Sequence, residues 1–234
     1  ERLAPTVQAA LSMLEQAFAE SDHFDPRQSQ RVFRLHMSDI GEWRFLPALM
    51  AKLRSTAPTV RIETQYVEQA ELPGALDSGA IDVAFGFLPQ LKGMLSRSLL
   101  TDHYVIVVNK DHPFAQGGER PRRMREALKR LQYVAVRTHG DTTRILQMLR
   151  LDSQLRLTVE HFTSLPSIVK ETDLAAIMPK EIGSIFPPSE YAVIDPGFPM
   201  AQFTVSLHWS QRFDNEPGNR WFRQLALGCV PNRP

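Results

Sequence analysis

The sequence predicts an α/β protein made of two small units of similar build, which are joined by two crossover strands. Two observations predict this class. Between residues 31 and 87, short apolar segments of strand character alternate with segments of helical periodicity, an order typical of parallel sheets with βαβ crossovers. The same order returns between residues 132 and 178, where "TDLAAIM" corresponds to "GAIDVAF" in the first half. The repetition is one of pattern rather than of identity.

The first unit contains three predicted strands and two predicted helices. In chain order these are a strand over 31–37, a helix over 42–54, a strand over 61–67, a helix around 72–76 and a strand over 80–87. Pro47 lies within the first helix, where a proline removes a backbone hydrogen bond. We therefore expect an irregular start to that helix.

The second unit follows the same plan. Its predicted elements are a strand over 132–137, a helix over 142–151, a strand over 155–161, a helix over 165–170 and a strand over 172–178. Two strand-like runs connect the units, one over 95–114 with a break at Thr101 and Asp102, and one over 201–210. The last predicted helix spans 217–228, with Asp214 or Asn215 as its cap. The predicted boundaries are 31–101 with 209–230 for one subdomain and 102–208 for the other.

Composition narrows the class of function. Apolar residues make up 43% of the 234 residues, which is enough for a buried core, and the formal charge is only +1. Nucleic-acid binding needs a concentrated basic face. The nearly equal numbers of basic and acidic residues therefore argue against this chain binding nucleic acid by itself. The single cysteine excludes an internal disulfide. With no long apolar run and no signal-peptide pattern, we expect a cytoplasmic protein without a membrane partner.

An N-terminal helix is predicted over residues 3–18. Leu3, Val7, Ala10, Leu14 and Ala17 follow the alternating spacing of a heptad seam. The heptad spacing alone allows two interpretations. The helix either docks on its own domain or forms the end of a longer dimerising helix over residues 1–22, and a polar linker follows it.

A binding site is predicted at the carboxyl ends of the strands, because open parallel sheets bind ligands there. If the two sheets face one another, the strand ends line one cleft. The candidate contacts are Ser38, Asp39, Trp43, Phe87, Gln90, Thr138, His139, His161, Phe162, Thr163 and Phe203. Ser38 and Thr138 occupy matching positions just before helices, whose free N–H groups favour anions.

Each of these candidates also has a purely structural interpretation. Asp39 with Glu42 has the form of a capping box, which is compatible with Ser38 facing the cleft. Most aromatic residues at such spacings belong to a core. Of the other histidines, His112 is assigned to a turn and His36 to a strand with either face open.

The sequence lacks the common enzyme signatures. It contains no nucleophile elbow, P-loop, dinucleotide fingerprint or paired-cysteine motif. No pair of histidines has metal-ligand spacing, so neither a metal nor a cofactor is expected. Cys229, near the chain end, is assigned to a buried structural thiol.

Several segments together resemble LysR-type transcriptional regulators, in particular the salicylate- and nitroaromatic-responsive activators and the nodulation regulators. They are "SDIGEWRFLPALM", "LDSGAIDVAFGFLPQL", "YVIVVNKDHPFA", "HFTSLPSIVKETDLAAIMP" and "DNEPGNRWFRQL", and the likeness covers nearly the whole chain. The "DxxxGxxDVAxG" rhythm and "KDHP" are moderately specific, although the spacing from Asp77 departs slightly from the family pattern.

The resemblance implies an effector-binding region of two subdomains of periplasmic-binding-protein type (Rossmann-like), preceded by a linker helix. It implies a small, aromatic carboxylate-like inducer in the cleft, no catalysis, and assembly into homodimers or homotetramers. It also implies DNA binding through an N-terminal helix-turn-helix that this sequence does not contain, and RNA polymerase as a further partner. The seam in residues 1–22 then favours dimerisation.

Two other classes compete with this interpretation. A solute-binding receptor of a transporter shares the two-lobed fold but needs an export signal and has no use for a heptad helix. A two-lobed α/β enzyme would work through His and Asp, but no nucleophile or base pair is apparent in the sequence.

Overall fold

The chain folds into two compact units, each built around a five-stranded sheet. The structure is a computed structural model, and it describes residues 24–116, 121–137, 140–197 and 202–229. Unit 1 comprises the described residues up to Met37, Gly41–Leu99 and those from Val205 onward; unit 2 comprises Leu100–Thr204 with Ser38–Ile40. The predicted N-terminal helix lies outside the described residues.

Unit 1 contains sheet 1, in which three parallel strands are followed by an antiparallel one. Its elements are β1 (Val32–His36), α1 (Asp39–Thr56), β2 (Arg61–Gln65), α2 (Leu72–Ser78), β3 (Val83–Gly86), β4 (Leu95–Asp102), β10 (Phe203–Trp209) and α8 (Pro217–Leu227). The strand order is β2-β1-β3-β10-β4. β1 pairs in parallel with β2 and β3, and β10 is antiparallel to β3.

The core of unit 1 lies on both faces of sheet 1. On one face, Phe33 of β1 stacks on Phe222 of α8 with 4.6 Å between ring centroids. On the other face, Ala84 of β3 packs with Leu72 and Leu76 of α2. Neighbouring side chains of a strand point to opposite faces, so a strand covered on both sides must be apolar throughout. Val83, Ala84 and Phe85 meet this requirement and are buried.

A double ion pair fastens α8 to sheet 1. The Arg31 guanidinium donates to Asp82 at 2.8 Å and to Glu216 at 2.7 Å. Glu216 is also the N-cap of α8, since its carboxylate accepts from the backbone N–H groups of Gly218 and Asn219. Burial opposes ionisation of Glu216, but the hydrogen bonds from Arg31, Asn219 and Gly218 outweigh it and lower its pKa.

Unit 2 contains sheet 2, which repeats the plan of sheet 1. Its strands are β5 (Tyr104–Asn109), β6 (Gln132–Val136), β7 (Leu155–Val159), β8 (Leu174–Pro179) and β9 (Tyr191–Ile194). The order is β7-β6-β8-β5-β9. β6 pairs in parallel with β7 and β8, and β5 is antiparallel to β8 and β9. The prediction of two similar α/β units is therefore confirmed.

Five α-helices accompany sheet 2 among the described residues. They are α3 (Pro113–Gln116), α4 (Pro121–Leu128), α5 (Gly140–Met148), α6 (Leu165–Glu171) and α7 (Lys180–Gly183). One continuous core joins Val107, Val134 and Met178 of the sheet to Leu165 and Val169 of α6. Among the described residues no helix combines the length and apolar character that crossing a membrane requires.

Two crossover strands connect the units along the chain, as the sequence predicts. The boundary falls within β4, between Leu99 and Leu100, and within β10, between Thr204 and Val205. The predicted boundaries lie at 101/102 and 208/209. The structure also groups Ser38–Ile40 with unit 2, because Ile40 belongs to the core of that unit.

Two local predictions are wrong. Helix α1 begins at Asp39 and runs through Pro47 without a break, so its start is not irregular. The cap of α8 is Glu216 rather than Asp214 or Asn215. Asp214 instead accepts from the Trp209 indole at 2.9 Å and pairs with Arg223 at 3.1 Å.

Candidate functional site

Ser38 lies between the end of strand β1 and the start of helix α1. The strand ends at His36, two residues intervene, and the 18-residue helix begins at Asp39. Ser38 is half-buried, so part of the residue remains exposed at the carboxyl end of the strand. The first N–H groups of an α-helix have no partner within the helix and carry partial positive charge. This is the local setting in which small anions bind.

Asp39 anchors the turn that follows β7. Its carboxylate accepts from the Ile40 backbone N–H at 2.9 Å and from the Phe162 backbone N–H at 2.6 Å. All three residues belong to unit 2. The second bond spans more than a hundred residues of chain, so Asp39 joins two distant segments in addition to bonding at its own helix start.

His161 lies beside Asp39 in the same unit. Its Nδ1 is 3.9 Å from Asp39 Oδ2, and 64% of its side chain is exposed. Thr163 is exposed as well, whereas Phe162 between them is only 8% exposed and belongs to the core of unit 2. The turn after β7 thus presents His161 and Thr163 to solvent and uses Phe162 as its apolar anchor.

The predicted residues of unit 1 differ in exposure. Trp43, on α1, is 49% exposed, which is unusual for so large an apolar side chain. Phe87 is half-buried and Gln90 is exposed, and both follow the end of β3. All three remain accessible to a partner molecule.

The remaining predicted residues divide into two groups. Phe203 is 6% exposed, and its ring centroid is 4.8 Å from that of Tyr104, so it packs in the interior of unit 2. Thr138 and His139 lie outside the described residues.

His36 is a residue of this strand end that the sequence did not single out. The residue is 3% exposed, and its Nδ1 accepts from the Val67 backbone N–H at 3.0 Å. Burial lowers the pKa of His36 to about 4, so the imidazole is neutral near pH 7 and carries its proton on Nε2. Strand alternation leaves the face of a strand's last residue undecided, and no other signal in the sequence marked His36.

The described residues contain no group of three or more His, Cys, Asp or Glu side chains placed to hold a metal ion. In unit 2 the His161 imidazole lies 3.9 Å from the Asp39 carboxylate, and Ser38 directly precedes Asp39 in the chain. Two backbone N–H groups already neutralise Asp39 in part. The hydroxyl and the imidazole are suited to donate hydrogen bonds to an anion.

Comparison with known proteins gives one family and a consistent set of relatives. A family model described as "LysR substrate binding domain" matches residues 26–228. The HTH-type transcriptional activator NagR of Ralstonia is 34% identical over 229 residues, covering 96% of this chain and 75% of the relative. The activator NahR of Pseudomonas putida is 31% identical over 228 residues, covering 96% and 76%. Nodulation protein D 1 of Mesorhizobium japonicum is 28% identical over 240 residues, covering 97% and 73%.

Solved structures agree in fold. A probable transcriptional regulator from Pseudomonas aeruginosa superimposes with a TM-score of 0.78 at 24% identity, covering 97% of this chain and 76% of that one. The regulatory domain of MexT, a transcriptional activator in the same organism, gives 0.65 at 23% identity, covering 86% and 100%. At these identities the likeness supports the fold alone.

Proposed function

The chain belongs to the LysR substrate-binding domain family, and from this membership we propose that its effector is a small aromatic carboxylate bound beside Ser38 and His161. The chain is the effector-binding domain of a LysR-type transcriptional regulator, and the solute-receptor alternative is set aside. Its relatives are regulators rather than enzymes. The effector assignment rests on the likeness to the salicylate-responsive branch and on the site geometry.

One observation carries the assignment to Ser38 and His161. The bond from Asp39 to the Phe162 N–H holds the turn that bears His161 against the segment that bears Ser38. A carboxylate beside Ser38 would receive the hydroxyl hydrogen bond and the favourable field of the α1 N-terminus. The exposed His161 imidazole supplies a further donor for a phenol or nitro oxygen on the same ring.

The other predicted contacts remain predictions. Trp43, Phe87 and Gln90 of unit 1 and Thr163 of unit 2 are each at least partly exposed, and Thr138 and His139 retain their predicted role. Phe162 and Phe203 are core residues, so we assign them the support of the site rather than direct contact.

The proposed mechanism is a linkage between effector binding and assembly. An effector shifts an equilibrium only as far as its affinities for the two arrangements differ. We propose that the domain works in homodimers or homotetramers, acts on promoter DNA through a helix-turn-helix and on RNA polymerase, and operates in the cytoplasm. This part of the proposal rests on the family membership.

Calorimetric titration with salicylate tests the effector assignment. We expect saturable binding to the parent chain, and Ser38→Ala should weaken it by about tenfold or more, since a hydrogen bond to a charged group contributes about 1.5–3 kcal/mol. His161→Gln should weaken it less, by about two- to tenfold, because its acceptor on the ring is neutral. Benzyl alcohol and salicylamide, which lack the carboxylate, should bind more weakly than salicylate to the parent.

The matched control is Ser55→Ala. Ser55 lies at the other end of α1, where its hydroxyl donates to the Lys52 carbonyl, and its loss should leave salicylate binding unchanged. If Ser38→Ala binds salicylate as tightly as the parent, the anion site is not at Ser38.

A further inference from the structure

A cavity of about 530 Å³ opens at the edge of unit 2 that lies away from the proposed effector site. It lies at the amino ends of two parallel strands, because Gln132 is the first residue of β6 and Asp173 directly precedes β8. The residues proposed for the effector lie at carboxyl ends instead. The two locations are therefore separate.

A hydrogen-bonded turn presents His112 to this cavity. The turn follows β5 and is closed by the bond from the His112 N–H to the Asn109 carbonyl at 3.0 Å. His112 Nδ1 accepts from the Phe114 N–H at 3.0 Å. In the neutral ring the proton is therefore on Nε2, which makes this histidine a hydrogen-bond donor on its other side. Phe114, in the short helix α3 that follows the turn, gives the cavity an aromatic wall.

The end of α4 forms the rest of the wall. The buried Tyr133 hydroxyl donates to the Leu128 carbonyl at 2.9 Å, and the Arg130 N–H donates to the Ala127 carbonyl at 3.0 Å. These bonds fix the turn that carries Arg130. Leu131, in the same turn, is buried and provides an apolar floor.

Two oppositely charged side chains, those of Arg130 and Asp173, line the cavity and do not form an ion pair with each other. Among the described residues, neither Arg130 nor Asp173 takes part in an ion pair, although both line the same space. Glu126 on α4 forms its ion pair with Lys129, at 2.9 Å. The positive charge of Arg130 attracts the Glu126 carboxylate only at longer range. An anion alone would satisfy Arg130 but would face the Asp173 carboxylate.

We propose that this cavity is a second ligand site, selective for a zwitterion of the size of an apolar α-amino acid. The ligand carboxylate binds the Arg130 guanidinium and His112 Nε2–H, and its ammonium group binds Asp173. The ligand side chain lies against Phe114 and Leu131. The volume falls within the range of small-molecule sites, which runs from about 300 to 1,000 Å³.

The test is titration of the whole chain with L-phenylalanine and L-leucine, followed by calorimetry or ligand-observed NMR. Each amino acid should bind saturably. Two analogues with one charge each, 3-phenylpropanoate and 2-phenylethylamine, should bind about tenfold more weakly than phenylalanine, because each loses one charge-assisted contact. Arg130→Gln and Asp173→Asn should each weaken phenylalanine binding by a similar factor.

The variants also distinguish a binding role from a structural one. Asp173→Asn should remove the preference for phenylalanine over 3-phenylpropanoate, which general destabilisation would not do. Lys129→Gln removes the neighbouring cation and should bind phenylalanine like the parent. Absence of saturable binding at millimolar amino acid, or affinity that both variants leave unchanged, overturns the proposal. A change in salicylate affinity in Arg130→Gln overturns the separation of the two sites.

Discussion

At the residue scale, the buried His36 makes the stability of the domain depend on pH. Its folded-state pKa is lowered to about 4 by burial, against about 6.5 in an unfolded chain. Between these values the unfolded state binds the proton and the folded state does not. Stability therefore falls as pH drops below about 6.5, and the loss is complete near pH 4, where it amounts to about 3 kcal/mol.

His36→Gln removes this titration and should flatten the pH dependence. We expect the difference in unfolding free energy between pH 7.5 and pH 5 to shrink by about 2 kcal/mol in the variant, measured by urea denaturation. His208, whose pKa is also lowered mainly by burial although a bond to the Gly86 carbonyl raises it, leaves a residual slope. His161→Gln controls for removing an exposed imidazole. An unchanged slope in His36→Gln would assign the effect elsewhere.

The individual residues of the site show what the sequence can predict and what it cannot. Short apolar runs predict where the strands end, and Ser38, His161 and Gln90 follow such ends; the structure leaves all three at least partly exposed. The same runs do not separate an aromatic residue that lines a cleft from one that fills a core. Phe162 and Phe203 were candidates on position alone, and three-dimensional packing buries both.

At the element scale, Asp39 bonds to a strand end far away in the chain as well as at its own helix. A capping box would use the Asp39 side chain within α1 and would depend on Glu42. The observed bonds go to the Ile40 and Phe162 N–H groups. The sequence indicates only the capping box within α1, because the position of Phe162 beside α1 depends on the complete fold of unit 2.

Hydrogen exchange distinguishes these two roles. Asp39→Ala should speed exchange of the Phe162 amide by about tenfold or more, because a hydrogen bond to a charged acceptor contributes about 1.5–3 kcal/mol. Glu42→Ala is the matched control, since it removes a carboxylate one turn along the same helix and should leave the Phe162 amide unchanged. Equal effects of the two substitutions would favour the capping interpretation, and NMR exchange of backbone amides measures both.

At the scale of the whole molecule, local patterns predicted the two units but not the order of their strands. The three parallel strands of each sheet follow one another in sequence, so periodicity and short connections suffice to find them. β10 is different, because it inserts between β3 and β4 from more than a hundred residues away. No local signal encodes such a pairing. Only the length of the strand-like run over 201–210 indicated that the chain crosses back.

This topology makes the two units unequal as fragments. Unit 2 is nearly continuous in sequence, because the whole of sheet 2 and its helices lie within Leu100–Thr204 and only Ser38–Ile40 come from elsewhere. Unit 1 is not. A fragment ending at Leu99 loses β10 from the interior of sheet 1, and with it α8, the partner of Phe33 and of Arg31.

We therefore expect residues 100–204 to fold alone and residues 24–99 to remain unfolded. The larger fragment should give a cooperative urea transition by far-UV circular dichroism, at a lower midpoint than in the full chain, because Ile40 no longer covers its core and Asp39 no longer binds Phe162.

In the full chain the three tryptophans, Trp43, Trp209 and Trp221, all lie outside 100–204, so their fluorescence reports unit 1 alone. Extending the shorter fragment by a linked copy of residues 203–229 restores β10 and α8 and should restore its cooperative unfolding. A fragment 24–99 that unfolds cooperatively without that addition would contradict the structural role assigned to β10.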